Sequence, residues 1–405
     1  MKEIYLDNAA TTPVRPEVMA AMKPYFSKKY GNPSSMHRQG LLASSAISDS
    51  REKISKILNC DSKEIIFTSG GTESVNLAIK GVALAKGKGH IITQKTEHHA
   101  VLKSCEWLEK KGFDVTYLDV DEFGLINPND VKNAIRKDTV LVTVMYANNE
   151  IGTIQPISEI GKICKEKGVL FHTDACQAAG YLNLDVERLN ADMMTLNGSK
   201  IYGPKGAGIL FVKKGIKIEP LLHGGGQESG LRSGTENVPS IVGLASALEI
   251  AQKEKASENK KLSMLRDKLI LALLKIPDTR LNGHQTKRLP NNINLSFSGV
   301  EGESTLLKLN ELGIFASTGS ACSAKDIKPS HVLLAIGLSH ELAHGSIRFS
   351  LGRNTTEKDI DYVLKVLPNI ISELRGMSPI TKTHHLANFR NVKMRESVRR
   401  HFSIK

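Results

Sequence analysis

At 405 residues the chain exceeds what one hydrophobic core usually serves, so two packed domains are expected, and its composition is that of an ordinary globular protein. No run approaches the roughly 20 apolar residues of a membrane span, and the five cysteines are sparse, odd in number and without metal-ligand spacing; membrane-spanning, disulfide-scaffold and resident-metal classes are excluded. The net charge of +13 is uneven: from Gly376 onward seven Lys/Arg face Glu396 alone, a basic tail with few aromatics and no nucleic-acid module, so direct nucleic-acid binding is not expected. The first residues run straight into a strand and turn with no signal or transit pattern, which implies a cytoplasmic enzyme in a reducing compartment.

After that opening strand, Pro16 to Tyr25 reads as a helix, and Lys29 to His37 as a loop. Strands and helices then alternate. Strands are predicted at Ile65–Thr68, His90–Gln94, Val115–Leu118, Leu141–Tyr146, Val169–Thr173, Met193–Leu196 and Ile209–Val212, with helices opening at Gly70, at Val101 and over Ile157–Glu166. Buried strands separated by helices indicate an α/β fold with a largely parallel sheet covered on both faces, whose ligands bind at the strand carboxyl ends. A helix from Pro239 into the charged run Gln252–Lys261, and another over Leu262–Leu274, lead to a smaller α+β domain. Its strands are Asn291–Phe297 and Ser346–Leu351, and its helices Glu303–Glu311 and Thr356–Arg375. The expected division is 15–255 for the large domain, 1–14 with 256–375 for the small one, which includes a mobile loop at 317–331, and 376–405 for the tail.

The polar motifs fall at those strand ends. Asp174 closes an apolar strand and Lys200 follows the next, in Asn197-Gly198-Ser199-Lys200. This is a signature of pyridoxal phosphate: a lysine amine forms a Schiff base with the cofactor aldehyde, and a carboxylate keeps the pyridine nitrogen protonated so that the ring accepts electrons. Ser69-Gly70-Gly71-Thr72 joins a strand to a helix, where unpaired amides suit a phosphate; alone, the motif reads equally well as a tight turn. His98 and His99 follow a strand end, and His98 is the candidate to lie over the ring, since His99 belongs to the helix's first turn. Asn149 and Gln177 can hydrogen-bond the cofactor's phenolic oxygen, with loop capping as the plain alternative. Lys205, in a Gly-Pro-Lys-Gly turn, is a lesser rival to Lys200. Arg348 sits opposite the face of Ile347, Phe349 and Leu351 and is suited to clamp a carboxylate, with Arg353 its rival. Cys322 has only small neighbours, Gly319, Ser320, Ala321, Ser323 and Ala324, and reads as an exposed nucleophilic thiol; Cys60, Cys105, Cys164 and Cys176 read as buried ones.

These residues resemble a known family: the cysteine desulfurases of the class-V aminotransferase group, pyridoxal phosphate fold-type I. The likeness covers residues 1 to about 379 and is carried by Tyr-Leu-Asp-Asn-Ala-Ala-Thr-Thr, Gly-Asn-Pro-Ser-Ser-Met-His, Thr-Glu-His, Asn-Asn-Glu-Ile-Gly, His-Thr-Asp-Ala-Cys-Gln, Lys-Ile-Tyr-Gly-Pro-Lys-Gly, Arg-Ser-Gly-Thr-Glu-Asn and Gly-Ser-Ala-Cys. The segment from Ser317 to His331 looks like that of the long-loop group, which serves iron-sulfur assembly. The resemblance implies a large domain with a seven-stranded-type sheet and a homodimer with shared active sites, in which Thr235 reaches the neighbouring subunit's phosphate. It implies Lys200 as cofactor lysine and Cα proton carrier, Asp174 on the pyridine nitrogen, His98 on the ring, and Gly71 and Thr72 on the phosphate. Asn149 and Gln177 would take the cofactor's oxygen side, and Arg348, with Asn32 and Asn149, the L-cysteine substrate.

The family usually has Ser-Gly-His or Ser-Ala-His before the lysine, where this chain has Asn197-Gly198-Ser199; both replacements still donate hydrogen bonds to a cofactor. The implied reaction is attack of the Cys322 thiolate on the substrate sulfur, leaving alanine and a Cys322 persulfide for an iron-sulfur scaffold protein or a tRNA-thiolation acceptor. No resident metal is implied, only transient ligation of an iron-sulfur cluster by Cys322 with a scaffold. The rival readings are a selenocysteine lyase, a class-V aminotransferase proper, and a weakly catalytic sulfur-relay scaffold.

Overall fold

The computed structural model describes residues 3–319 and 329–377. Its larger sheet has seven strands in the order Ile65–Thr68, Gly208–Val212, Met193–Asn197, Leu170–Asp174, Thr139–Thr143, His90–Gln94 and Asp114–Leu118. Gly208–Val212 runs antiparallel to both neighbours, and the remaining pairings are parallel. The sheet is therefore mixed, because the residues between Asn197 and Gly208 return the chain as an antiparallel hairpin and not as a helical crossover. Gly208 faces Thr68 on one side and Asn197 on the other, which brings the Gly70 turn and the lysine-bearing turn together.

A second, three-stranded antiparallel sheet runs Ser346–Ser350, Asn292–Phe297, Thr279–Leu281. The opening strand Ile4–Tyr5 pairs in parallel with Ile314–Phe315. Separate apolar cores form around the two sheets. Phe67, Val142, Phe171, Met194 and Phe211 centre one, and Leu265, Leu295, Phe297, Phe349 and Ile370 the other.

The strands Thr279–Leu281 and Ile314–Phe315 and the helix Pro128–Ala134 add to the sequence reading, and three helical regions depart from it. The two helices expected between Pro239 and Leu274 are one, Val238–Leu273, of 36 residues. Its charged middle contains neither Gly nor Pro, so the helix continues while Leu244 and Leu248 pack on the first core and Leu262 and Leu269 on the second. A helix of 21 residues, Arg38–Leu58, was not anticipated. Its buried face includes Gly40, Ala43, Ala46 and Ser50, small residues that weaken the apolar period yet permit close packing. Proline 24 divides the expected Pro16–Tyr25 helix into Pro16–Met22 and Pro24–Ser27. Among the described residues, no helix is long and apolar enough to cross a membrane.

Candidate active site

The helix Gly71–Lys86 starts without a side-chain cap, behind Gly70 at φ 150°, so its first amides and positive end face the strand edge. Space there is tight. A Cβ on Gly71 would lie 2.8 Å from Cys176 Sγ and 3.6 Å from the Asn197 amide nitrogen. Asn197 is oriented by its own turn, since Ser199 donates to Asn197 Oδ1 from its amide at 3.2 Å and its hydroxyl at 3.3 Å. With that oxygen occupied, Nδ2 is the group presented toward Gly71.

Asp174 ends its strand at 8% exposure and accepts the Cys176 amide at 2.9 Å. Lys200 closes the short turn Gly198–Lys200 and donates to the carbonyls of Ala9 at 2.9 Å and Ala10 at 2.5 Å. Gln177 donates to the same Ala9 carbonyl at 2.9 Å. Among the described residues, the rival Lys205 reaches the Thr12 carbonyl, at 3.4 Å. His98 caps the helix His99–Glu109, its Nδ1 accepting from the Ala100 amide at 3.1 Å, which leaves the proton on Nε2.

Arg348 is buried from solvent. Its Nη2 pairs with Asp7 at 2.6 Å and its Nη1 donates to the Asn149 carbonyl at 3.1 Å, while its Nε has no partner among the described residues. An orphan donor on a buried guanidinium suits an incoming carboxylate.

The sheet's carboxyl edge thus gathers Gly71, Thr72, His98, Asn149, Asp174, Gln177, Asn197, Ser199 and Lys200, with Arg348 joined through Asn149. Asn32 and Thr235 are exposed, and no hydrogen bond ties either to this group among the described residues; Asn32 Oδ1 accepts from its own loop at Ser34. Cys322 lies outside the described residues. Cys105 and Cys164 are buried and Cys60 and Cys176 partly so; burial pushes all four thiols up, Cys60 and Cys164 to about 12, so none is a ready thiolate.

Sequence reasoning missed three contributors. Asp7 and the Ala9–Ala10 carbonyls sit in the Tyr-Leu-Asp-Asn-Ala-Ala motif, visible as a motif but not as part of the cleft. Glu97, inside Thr-Glu-His, is fully buried and takes the Met145 amide at 2.6 Å and the Gln94 amide at 3.0 Å. Burial pushes its carboxyl up to about 8, and the nearby Asp174 charge adds to the rise. Burial likewise holds His172 down to about 4, between the hydroxyls of Thr143 at 2.8 Å and Thr195 at 3.0 Å, directly behind Asp174.

The sequence model of the class-V aminotransferases matches residues 4–363. The chain belongs to the class-V aminotransferase family. Among the relatives of this class-V protein is the cysteine desulfurase IscS of Methanosarcina thermophila, 56% identical over 94% of this chain and 95% of the relative. A solved structure described as a NifS-like protein superposes with a TM-score of 0.87 at 40% identity, covering 92% of this chain and all of that one. SspA, solved in complex with cysteine, gives 0.77 at 40% identity over 86% of this chain and 99% of that one. Within the class-V family the chain falls in the cysteine desulfurase group, and the family is one of pyridoxal-phosphate-dependent enzymes.

Proposed function

We propose that this chain is a cysteine desulfurase that holds pyridoxal phosphate at the sheet's carboxyl edge and leaves the sulfur of L-cysteine as a persulfide on Cys322. One observation carries the reading: Asp174 ends one of two adjacent parallel strands and Lys200 follows the other, beside an uncapped helix start where a Cβ on Gly71 would press on Cys176.

The helix start, Thr72 and the Asn197 amide would hold the phosphate, Asp174 the ring nitrogen, and Asn149 and Gln177 the oxygen side. The bound cofactor supplies an electron sink that labilises bonds at the substrate Cα. Lys200 carries the Cα proton, and the two carbonyls that hold its amine keep it over the cleft. His98, whose Nδ1 holds the Ala100 amide, would face the cofactor with Nε2 and exchange protons there. Arg348 takes the α-carboxylate with its Nε–H and, with Asn149 and Asn32, fixes which Cα bond is presented. Cys322 Sγ attacks the substrate sulfur as a thiolate; the carbon-sulfur bond breaks, its electron pair returns to the carbon fragment, and protonation there yields alanine.

The chain works as a homodimer in which Thr235 serves the partner's site. Its exposure, and that of Phe26, Tyr30 and Met36 on the segment that carries Asn32, support this. The separate cores support division into a large body at 15–255 and a small domain from 1–14 and 256–375. The sulfur goes to an iron-sulfur scaffold or a tRNA-thiolation acceptor in the cytoplasm. The test is Cys322→Ala. The holoenzyme variant should keep its cofactor absorbance and form no alanine from cysteine under reductant, and normal turnover would refute the proposal.

A further inference from the structure

Gly319 and Ser330 flank residues 320–329, Cys322 among them, and both abut one carboxylate. Ser330 Oγ donates to Glu150 Oε2 at 2.5 Å. A Cβ on Gly319, whose φ is 151°, would lie 3.0 Å from the same Oε2 and 3.9 Å from the Cβ of Ser330. The two ends of the segment therefore meet across a single oxygen.

Glu150 is itself immobilised at 1% exposure. Its amide and that of Ile151 donate to Asn148 Oδ1 at 2.8 and 2.9 Å, and its carbonyl accepts from Asn292 at 3.2 Å and Asn294 at 3.1 Å. The residue before it in the turn, Asn149, gives its carbonyl to Arg348. Ser317, at the segment's outgoing foot, exchanges backbone hydrogen bonds with Arg348 and donates through its hydroxyl to the Gly319 carbonyl at 3.1 Å. At the incoming foot, His331 Nε2 donates to the Glu97 carbonyl at 2.8 Å and its ring lies 4.6 Å from that of His99. Both feet stand on residues next to the candidate active site.

We infer that Glu150 is a positioning residue for sulfur transfer: its carboxylate closes the neck of the Cys322-bearing segment and registers that neck against the turn that supports Arg348. The inference rests on the desulfurase reading and adds to it where the reaction's two partners are aligned. The physical reason is reach. Three residues of chain extend at most roughly 11 Å from Gly319, so a shift of the neck passes directly into the range that the thiol can sample. The hydrogen bond from Ser330 also fixes the two described ends against one carboxyl group. Proton removal at the substrate Cα uses the cofactor, Lys200, Arg348, Asn149 and Asn32, and among the described residues it is Ser330 that hydrogen-bonds the Glu150 carboxylate, so that half is independent of the neck.

The experiment separates the two halves of the reaction in the holoenzyme. Exchange of the Cα hydrogen of L-alanine in D2O, followed by proton NMR, reports the cofactor half, and alanine formation from L-cysteine under reductant reports the whole. For Glu150→Ala, exchange should stay within about twofold of wild type while alanine formation falls roughly tenfold or more, the scale of a lost hydrogen bond to a charged group. Glu150→Gln keeps an acceptor oxygen and should recover most of the loss. Ser330→Ala should give the same split and carries the test if Glu150→Ala does not fold. Exchange and alanine formation falling together, or neither falling, would overturn the inference. If wild-type enzyme exchanges but makes no alanine, the desulfurase reading itself fails, an outcome distinct from those two.

Discussion

Gly208→Ala tests whether the antiparallel strand builds the phosphate cradle. An added Cβ would lie 2.6 Å from both the Cα and the carbonyl carbon of Gly70 and 2.7 Å from Thr68 Oγ1. Ordinary carbon contacts lie at about 3.5–4.0 Å, so the Gly70 turn must move by roughly 1 Å. Backbone, unlike a side chain, has no rotamer to escape into. Overpacking of this kind costs about 1–3 kcal/mol. Because the displaced atoms precede the uncapped start of the Gly71 helix, the cost should appear in cofactor affinity, a roughly 5- to 150-fold weaker dissociation constant at tenfold per 1.4 kcal/mol. The assay is titration of apoprotein with pyridoxal phosphate, read by absorbance, beside thermal unfolding of the apoprotein. Gly180→Ala is the control, since its added Cβ would find its nearest neighbour, Ile201 Cγ2, at 3.6 Å. Affinity within twofold of wild type for Gly208→Ala, with or without a lower melting temperature, would refute the link between this strand and the cradle.

Lys200→Ala should abolish the Schiff-base absorbance and Lys205→Ala should leave it; the reverse pattern in the spectra would move the cofactor to the Gly-Pro-Lys-Gly turn. Arg348→Lys cannot reproduce the contacts to both Asp7 and Asn149 and should raise KM for cysteine about tenfold with the cofactor spectrum kept, whereas an unchanged KM in steady-state kinetics assigns the carboxylate elsewhere. His172 titrates near 4 when folded against 6.5 in an open chain. Between those values the unfolded state binds the proton that the folded state refuses, so stability falls as pH drops from 6.5 toward 4. The slope is about 1.4 kcal/mol per pH unit, for a total of roughly 3 kcal/mol. Urea midpoints of wild type and His172→Asn across that window should differ by this slope; parallel pH dependences would show that the imidazole is not held neutral. Glu97 works in the opposite sense, protonated when folded up to about 8, so Glu97→Gln should remove a loss of stability as pH rises from about 4.5 to 8, measured in the same way.

Much of the fold and the chemistry was legible because both are local properties of the chain. Apolar runs bounded by turn residues marked every strand of the large sheet, and Asp174, Lys200, His98 and Gly71 stood out because each closes a strand or opens a helix in a motif that resembles a known family. Small residues hid the Arg38–Leu58 helix, whose buried face is made by close packing rather than by apolar bulk.

What the sequence by itself determined was the set of reacting groups and the order in which strands and helices present them, since hydrophobic period, turn chemistry and residue type are written in short windows. Only the tertiary structure decided which distant groups share a contact. It brought Asp7 to Arg348, the Ala9 and Ala10 carbonyls to Lys200, and both ends of the Cys322 segment to Glu150. Each of these contacts joins residues scores to hundreds of positions apart. Their partners are selected by how two cores pack against one strand edge, and no local pattern encodes that choice.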